Sequence, residues 1–339
     1  ATFLEPDCGR NIESIIAGIM FLSDTEHRLW TRYMTVDRMR HYRRILETTP
    51  DLKRFSINGG GDGVGDHDFG AVDDDQIMEL ATALCLQQGG ADSTINEIRV
   101  EFFTFSRAGW NAISNAFREL PRLKKLFLRQ VLVRDDGVLL PECISNTVLQ
   151  SPGLEEVHMV DCSLNAIVAQ SLSRQLLLPT CRLRVLSMEG NGIGNVGVKF
   201  LAQALERNQS LVALDLDRVG CSIDGLVALS ESLKQNDRLE SLSCAGNGGL
   251  DVPLSLERRD KSSASDESSQ PSYQHPFEDL LSVNTTLKQI QPVRITSRIN
   301  YLLRLNRAGR KYVGDNYVMA RLFHLLLEPV SNDPDVLFF

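Results

Sequence analysis

The sequence lacks the short signatures of metal-dependent and nucleophilic enzymes. It contains no HExxH, no GxSxG, no Cys–His pairing and no CxxC. Its histidines, His27, His41, His67, His158, His275 and His324, are scattered along the chain. The 7 cysteines are odd in number and widely spread, which argues against a disulfide framework or a zinc site and for a reducing compartment, cytoplasm or nucleus. Proline and glycine are modest, at 12 and 24, so collagen-like and polyproline character are excluded. Positive charge is short: the formal net charge is −8, which argues against a broad basic face for nucleic acid. Long apolar runs are missing too. Ser14–Ser23 is too short to span a bilayer, and Asp7 and Glu13 precede it where a signal peptide needs basic residues. What remains is 42% hydrophobic and 24% charged over 339 residues. That composition buries a large core, either as two or three domains or as one elongated repeat array.

The repeats decide between these. Leu183-Arg-Val-Leu186-Ser-Met188-Glu-Gly-Asn191 returns as Leu211-Val-Ala-Leu214-Asp-Leu216 and as Leu239-Glu-Ser-Leu242-Ser-Cys244-Ala-Gly-Asn247, 28 residues apart each time. Leu154, Leu123 and Ile95 open earlier copies at intervals of 29, 31 and 28. Leu52-Lys-Arg-Phe55 and Leu287-Lys-Gln-Ile290 are outer copies. After each opening comes a turn and then helical spacing: Phe200, Leu201, Ala204 and Leu205 after Gly197; Leu226, Leu229 and Leu233 after Gly225; Trp110, Ile113 and Phe117 after Gly109. Each unit therefore reads as strand, turn and amphipathic helix.

This LxxLxLxx(N/C)xL pattern, at this length, resembles the ribonuclease-inhibitor-like subclass of leucine-rich-repeat proteins. The resemblance covers residues 52–305. It implies an α/β leucine-rich-repeat solenoid, with a curved parallel sheet on the concave side and helices on the convex side. Asn191, Asn247 and Cys162 hold the turn position where that family places Asn or Cys to bond turn backbone. Phe103, Val131 and Val219 hold it elsewhere, which predicts less regular turns there. The segment 299–310 with 335–339 is similar to the closing segment of diatom leucine-rich-repeat proteins.

A single repeat cannot bury its own apolar face, so the ends need caps. Trp30, Tyr33, Met34, Met39, Tyr42, Ile45 and Leu46 predict a capping helix over 26–47. Ile299, Leu302, Leu303 and Leu305 predict another, ended by Gly309. The organisation expected is a helical cap over 1–50, repeats over 51–293 and a helical cap over 294–339. Insertions fall at 58–75 and 251–276. The first is rich in Gly and Asp without EF-hand order or a phosphate-loop lysine, and reads as a solvated loop rather than a calcium site. The second carries Ser262, Ser263, Ser265, Ser268, Ser269 and Ser272 and reads as a polar loop. Asn208-Gln-Ser210 and Asn284-Thr-Thr286 match glycosylation sequons and are taken as incidental. The stretch 294–321 carries a net +6 and is expected to dress the outside of the closing helix.

Alternation along each strand turns the residues between the leucines outward. One outward row reads Ser56, Arg99, Phe127, His158, Ser187, Asp215, Ser243, Gln291, and the next reads Asn58, Glu101, Arg129, Val160, Glu189, Asp217, Ala245. The residues expected to meet a partner are Arg99, Glu101, Phe127, Arg129, His158, Asp161, Glu189, Asp215 and Asp217. Phe127 stands out as an aromatic on an exposed face. The acidic group formed by Glu189, Asp215 and Asp217 suits a protein partner with a basic patch. The function expected is a non-catalytic protein-interaction scaffold that uses no cofactor, metal, nucleic acid or membrane. A GTPase-activating protein of the Ran type, or a ubiquitin-ligase adaptor, on the same fold is the alternative.

Overall fold

A computed structural model describes residues 19–23, 26–30, 40, 43–44, 51–59, 74–86, 93–149, 151, 153–248, 275–291 and 296–310. The Ser-rich stretch, most of the Gly/Asp loop and the closing 335–339 segment lie outside the described residues. The chain divides into two compact units, Ala1–Leu164 and Asn165–Phe339.

In the first unit the strands are β1 (Ile19–Ser23), β2 (Glu26–Trp30), β3 (Arg54–Asn58), β4 (Glu97–Ser106), β5 (Lys125–Asp135), β6 (Val138–Leu139) and β7 (Glu156–Val160). They lie side by side in the order β1-β2-β3-β4-β5-β7, with β6 attached to β5. All pairings are parallel except the β1–β2 and β5–β6 hairpins. The helices are α1 (Asp74–Leu86), α2 (Arg107–Glu119) and α3 (Pro141–Leu149). They stack in sequence order, α1 on α2 and α2 on α3. The capping helix expected over 26–47 is corrected at its start, since Glu26–Trp30 adds a parallel strand to β3; among the described residues Arg40, Arg43 and Arg44 are α-helical.

In the second unit β8 (Val185–Ser187), β9 (Ala213–Asp215), β10 (Ser241–Ser243) and β11 (Gln289–Gln291) form a parallel ladder. Between and around them run α4 (Ala166–Leu176), α5 (Gly194–Leu205), α6 (Ile223–Leu233), α7 (Pro276–Val283) and α8 (Ser297–Arg307), each packed on the next. The helices pack closely where the sequence supplies glycine. A Cβ on Gly197 would stand 3.1 Å from the Ala169 Cβ, and one on Gly225 would stand 2.8 Å from the Asn195 side chain.

The leucine pattern is the core. Leu126, Val157, Leu186, Leu214, Leu242 and Ile290, all second apolar positions of their repeats, are at most 2% exposed. The helix positions Ile113, Val168, Leu201, Leu226 and Leu280 are fully buried. The fold is thus an α/β leucine-rich-repeat solenoid. Among the described residues no helix is long and apolar enough to cross a membrane.

One backbone feature recurs in every central repeat. Phe102, Gln130, Asp161, Gly190, Arg218 and Gly246, each just before the Asn/Cys position, have φ between 49° and 72°. The following residues, Phe103, Val131, Cys162, Asn191, Val219 and Asn247, are all buried. At Phe103 and Val131 the expected turn is replaced by strand. β4 and β5 kink at the left-handed residue and then pair again from Phe103↔Val131 to Ser106↔Arg134. An apolar side chain cannot bond turn backbone, so neighbouring strands satisfy these groups instead. Val219 departs from expectation differently. Its turn is regular because the Oδ1 of Asn247, one repeat on, accepts the N–H of Val219 at 3.0 Å and of Cys221 at 3.3 Å.

Candidate functional site

The outward row of the first unit follows from register. Ser56 pairs with Arg99, Arg99 with Phe127, and Phe127 with His158. Same-face side chains on adjacent strands stand about 5 Å apart, so these residues must meet or repel. They meet. The Phe127 and His158 rings stack at 4.3 Å between centroids and 9° between planes. On the other side of Phe127 the Arg99 guanidinium carbon lies 4.3 Å from the ring centroid. The result is a three-layer sandwich across β4, β5 and β7, with Phe127 half-buried rather than exposed as the sequence suggested.

Arg99 is fixed from beneath by Glu97, whose Oε1 lies 2.6 Å from Nε. Glu97 is itself buried, at 5% exposure, and also pairs with Arg54 at 2.9 Å; Arg54 continues to Glu26 at 2.8 Å. Burial pushes the Glu97 carboxyl up, but the hydrogen bonds and charges of Arg99 and Arg54 outweigh it and hold the group below its ordinary value. Burial lowers the His158 pKa, and Arg99 and Lys125 add to this against Glu156 and Glu97, which favours the neutral imidazole.

These charges form a row that sequence reasoning missed. In register, Glu26, Arg54, Glu97, Lys125 and Glu156 are successive neighbours, alternating in sign, and Lys125 pairs with Glu156 at 2.8 Å. The signal was available at the position two residues before the central outward row.

Of the other expected residues, Glu101 lies one rung on and accepts from the Asn58 amide at 3.1 Å, while Arg129 lies over the Phe102 ring at 5.6 Å. Asp161 stands beyond the end of β7 at the left-handed corner, outside the sandwich.

In the second unit Asp215 and Asp217 are half-buried and tied to the fold. The Asp215 carboxylate accepts from the Ser187 hydroxyl at 2.9 Å and the Asp217 N–H at 3.0 Å. Asp217 Oδ1 accepts from the Ser243 hydroxyl at 2.6 Å and the Ala245 N–H at 2.7 Å. Burial raises the Asp215 pKa, opposed by those hydrogen bonds and reinforced by the neighbouring Asp217 and Glu189 charges. Glu189 pairs with Arg218 at 2.7 Å. These carboxylates therefore bind successive repeats together as well as carrying charge.

A second set of polar residues went unread in the sequence. Asn208, Asn236 and Asn284, in the turns after α5, α6 and α7, and Asn306, near the end of α8, are at most 4% exposed. Asn208 Oδ1 accepts the N–H of Ser210 and Leu211, Asn236 that of Arg238 and Leu239, and Asn284 that of Thr286 and Leu287. Their Nδ2 groups reach the preceding repeat: Asn208 to Leu176, Asn236 to Leu205, Asn284 to Leu233. Both glycosylation sequons are thus parts of this N-x-x-L ladder, with the acceptor nitrogen buried and bonded. Two buried thiols are equally inert: burial pushes Cys162 up to about 12 and Cys221 up to about 11. Among the described residues no group of three or more His, Cys, Asp or Glu is placed to hold a metal ion.

No protein-family model matches the chain. Over 130 residues it is 32% identical to NACHT, LRR and PYD domains-containing protein 3 of Bos taurus, covering 38% of this chain and 12% of that protein. Over 129 residues it is 33% identical to NACHT, LRR and PYD domains-containing protein 5 of Homo sapiens, covering 37% of this chain and 10% of that protein. The ribonuclease inhibitor of Sus scrofa is 26% identical over 157 residues, 42% of this chain and 32% of the inhibitor. The chain therefore spans between about a tenth and about a third of these relatives' lengths. Among solved structures, the leiomodin-1 actin-binding site 2 superposes with a TM-score of 0.39 at 16% identity, covering 55% of this chain and 93% of that one. Repeat length, strand and helix register and buried Asn and Cys corners give the chain a leucine-rich-repeat fold, and its sequence similarity to the ribonuclease inhibitor agrees with that fold.

Proposed function

We propose that the chain is a non-catalytic scaffold that binds a protein partner on the outward face of its strands. The observation that carries this reading is the Arg99–Phe127–His158 sandwich. An aromatic ring held between two partners is pre-organised, so little side-chain entropy remains to be lost on docking, and Phe and Arg are enriched at interface cores. Sequence relatives built from the same repeats, one of them named as an inhibitor of ribonuclease, support a binding role. In the second unit Glu189, Asp215 and Asp217 suit a basic patch on the partner, and their ties to Ser187, Ser243 and Arg218 hold the charge in place.

The test is to capture partners from the source cells with the full chain and map the footprint by hydrogen exchange. The Phe127→Ala variant and the Asp215→Asn, Asp217→Asn double variant are then compared by surface plasmon resonance. Phe127→Ala is expected to speed dissociation by about tenfold or more. The double variant is expected to slow association and flatten its salt dependence, because asparagine keeps the acceptor oxygen and loses only the charge. Parental kinetics in both, with protection confined to the helices, sinks the strand-face reading.

A further inference from the structure

We propose that the outward face of the first unit captures a peptide carboxylate, held end-on by the two Nη groups of Arg99, with the peptide running along the edges of Phe127 and His158. This deepens the strand-face reading and rests on it.

Three observations converge on Arg99. Its Nε is already taken by Glu97, and its guanidinium carbon sits over the Phe127 ring at 4.3 Å. Among the described residues neither Nη has a hydrogen-bond partner, although the side chain is only 34% exposed. A guanidinium anchored at Nε leaves its end-on fork, which matches the two oxygens of a carboxylate. The second observation is Ser56, the register partner of Arg99 on β3. It faces outward between buried Phe55 and Ile57, is 3% exposed, and its hydroxyl has no hydrogen-bond partner. A buried hydroxyl without a partner is costly, and its residue is the register neighbour of Arg99. The third is the state of the nearby carboxylates. Glu97 is shared by Arg54 and Arg99, Glu156 is held by Lys125, and Glu101 by Asn58. None of these contacts engages the Arg99 fork.

The rings complete the fit. Stacked face to face, Phe127 and His158 cover each other's faces and leave their edges to the outside, and an aromatic edge is the positive part of its quadrupole. The charges that act on His158 are those of Glu156, Arg99, Lys125 and Glu97. An incoming carboxylate adds negative charge to this set, favours the imidazolium and so binds more tightly as the pH is lowered through the imidazole's range.

The experiment pans a fully randomised dodecapeptide library, displayed with free and with blocked C-termini, on the full chain. The same pools are panned on Arg99→Lys, Arg99→Met and Phe127→Leu variants whose folding is checked by thermal melting. Enrichment of Asp or Glu at one position, in either display format, with binding weakened roughly 10- to 100-fold by Arg99→Met and partly restored by Arg99→Lys, bears out the inference. Enrichment only with a free C-terminus identifies the terminal carboxylate as the group captured. Replacing the enriched Glu by Gln in a synthetic peptide must abolish the pH dependence as well as the affinity. Binders that need Phe127 but carry no acidic position overturn the carboxylate inference and leave the strand-face reading standing. Binders indifferent to both residues, or no enrichment at all, overturn both. Should Arg99→Met fail to fold, Arg99→Lys alone decides, because it keeps the charge beside Glu97 and removes the fork.

Discussion

Replacing Asn236 by alanine tests whether the buried asparagine ladder holds the repeats together. The side chain is 4% exposed and serves four backbone groups. Its amide donates to the Leu205 carbonyl at 2.6 Å and, more weakly, to the Asn208 carbonyl at 3.3 Å. Its oxygen accepts the N–H of Arg238 at 3.0 Å and of Leu239 at 2.8 Å. In the variant Leu205 keeps the Asn208 N–H at 3.3 Å, so the main loss is two stranded N–H donors beside a core strand. At about 1–3 kcal/mol for each unsatisfied buried group, the expected cost is roughly 2–6 kcal/mol, a large part of a typical domain's stability. Urea unfolding followed by circular dichroism reads the total. Hydrogen exchange reads its location: the Arg238 and Leu239 amides should lose protection while Leu214 keeps it. Asn236→Asp separates the two halves of the side chain. It keeps the acceptor for both amides, so they stay protected, but sets a carboxylate against carbonyl oxygens and so destabilises most at neutral pH. A loss under about 1 kcal/mol with both amides still protected would refute the ladder as a source of stability.

Three further outcomes are expected. Leu186→Ala, at a fully buried strand position, should cost about 2–5 kcal/mol in thermal or chemical melting, and an unchanged midpoint would dismantle the repeat frame. Folded chain recovered from a glycosylating host should carry no glycan at Asn208 or Asn284 by mass spectrometry, since each amide nitrogen is buried and bonded; a glycan in the folded fraction contradicts the structure there. Glu97 is held below its ordinary value, so its stabilisation is complete above the unfolded Glu range, about pH 4.3, and is lost as the pH falls through the lower folded value. Glu97→Gln should flatten the acid limb of the urea midpoint against pH, and an unaltered limb removes Glu97 from the account.

The legible part of this molecule is the part governed by period. A leucine every third and second residue states which face is buried, and Leu186, Leu214 and Leu242 obey. The same alternation places Arg99, Phe127 and His158 in one outward row without any structure. It does not say that they stack, because stacking depends on side-chain rotamers and on Glu97 steering Arg99 from the strand floor. The prolonged strands β4 and β5 escaped for a different reason. They require left-handed backbone at Phe102 and Gln130, residue types that carry no signal for it. The capping strand Glu26–Trp30 is too short for alternation to compete with the helical spacing of the apolar residues beyond it. The asparagine ladder was visible as N-x-x-L, but its even 28-residue beat from Asn208 to Asn236 stretches to 48 before Asn284.

That stretched interval says something about how such chains are edited. On either side of it the molecule behaves as though nothing had been added. Asn284 still reaches back to Leu233 and Asn236, at 2.8 Å each, and β11 still pairs with β10 residue for residue from Ser241↔Gln289 to Ser243↔Gln291. The extra chain between the corner at Asn247 and the start of α7 therefore leaves the flanking register undisturbed. A foreign loop, a fluorescent domain or an epitope can be spliced into that interval, and the flanking register will report by its persistence that the graft was accepted.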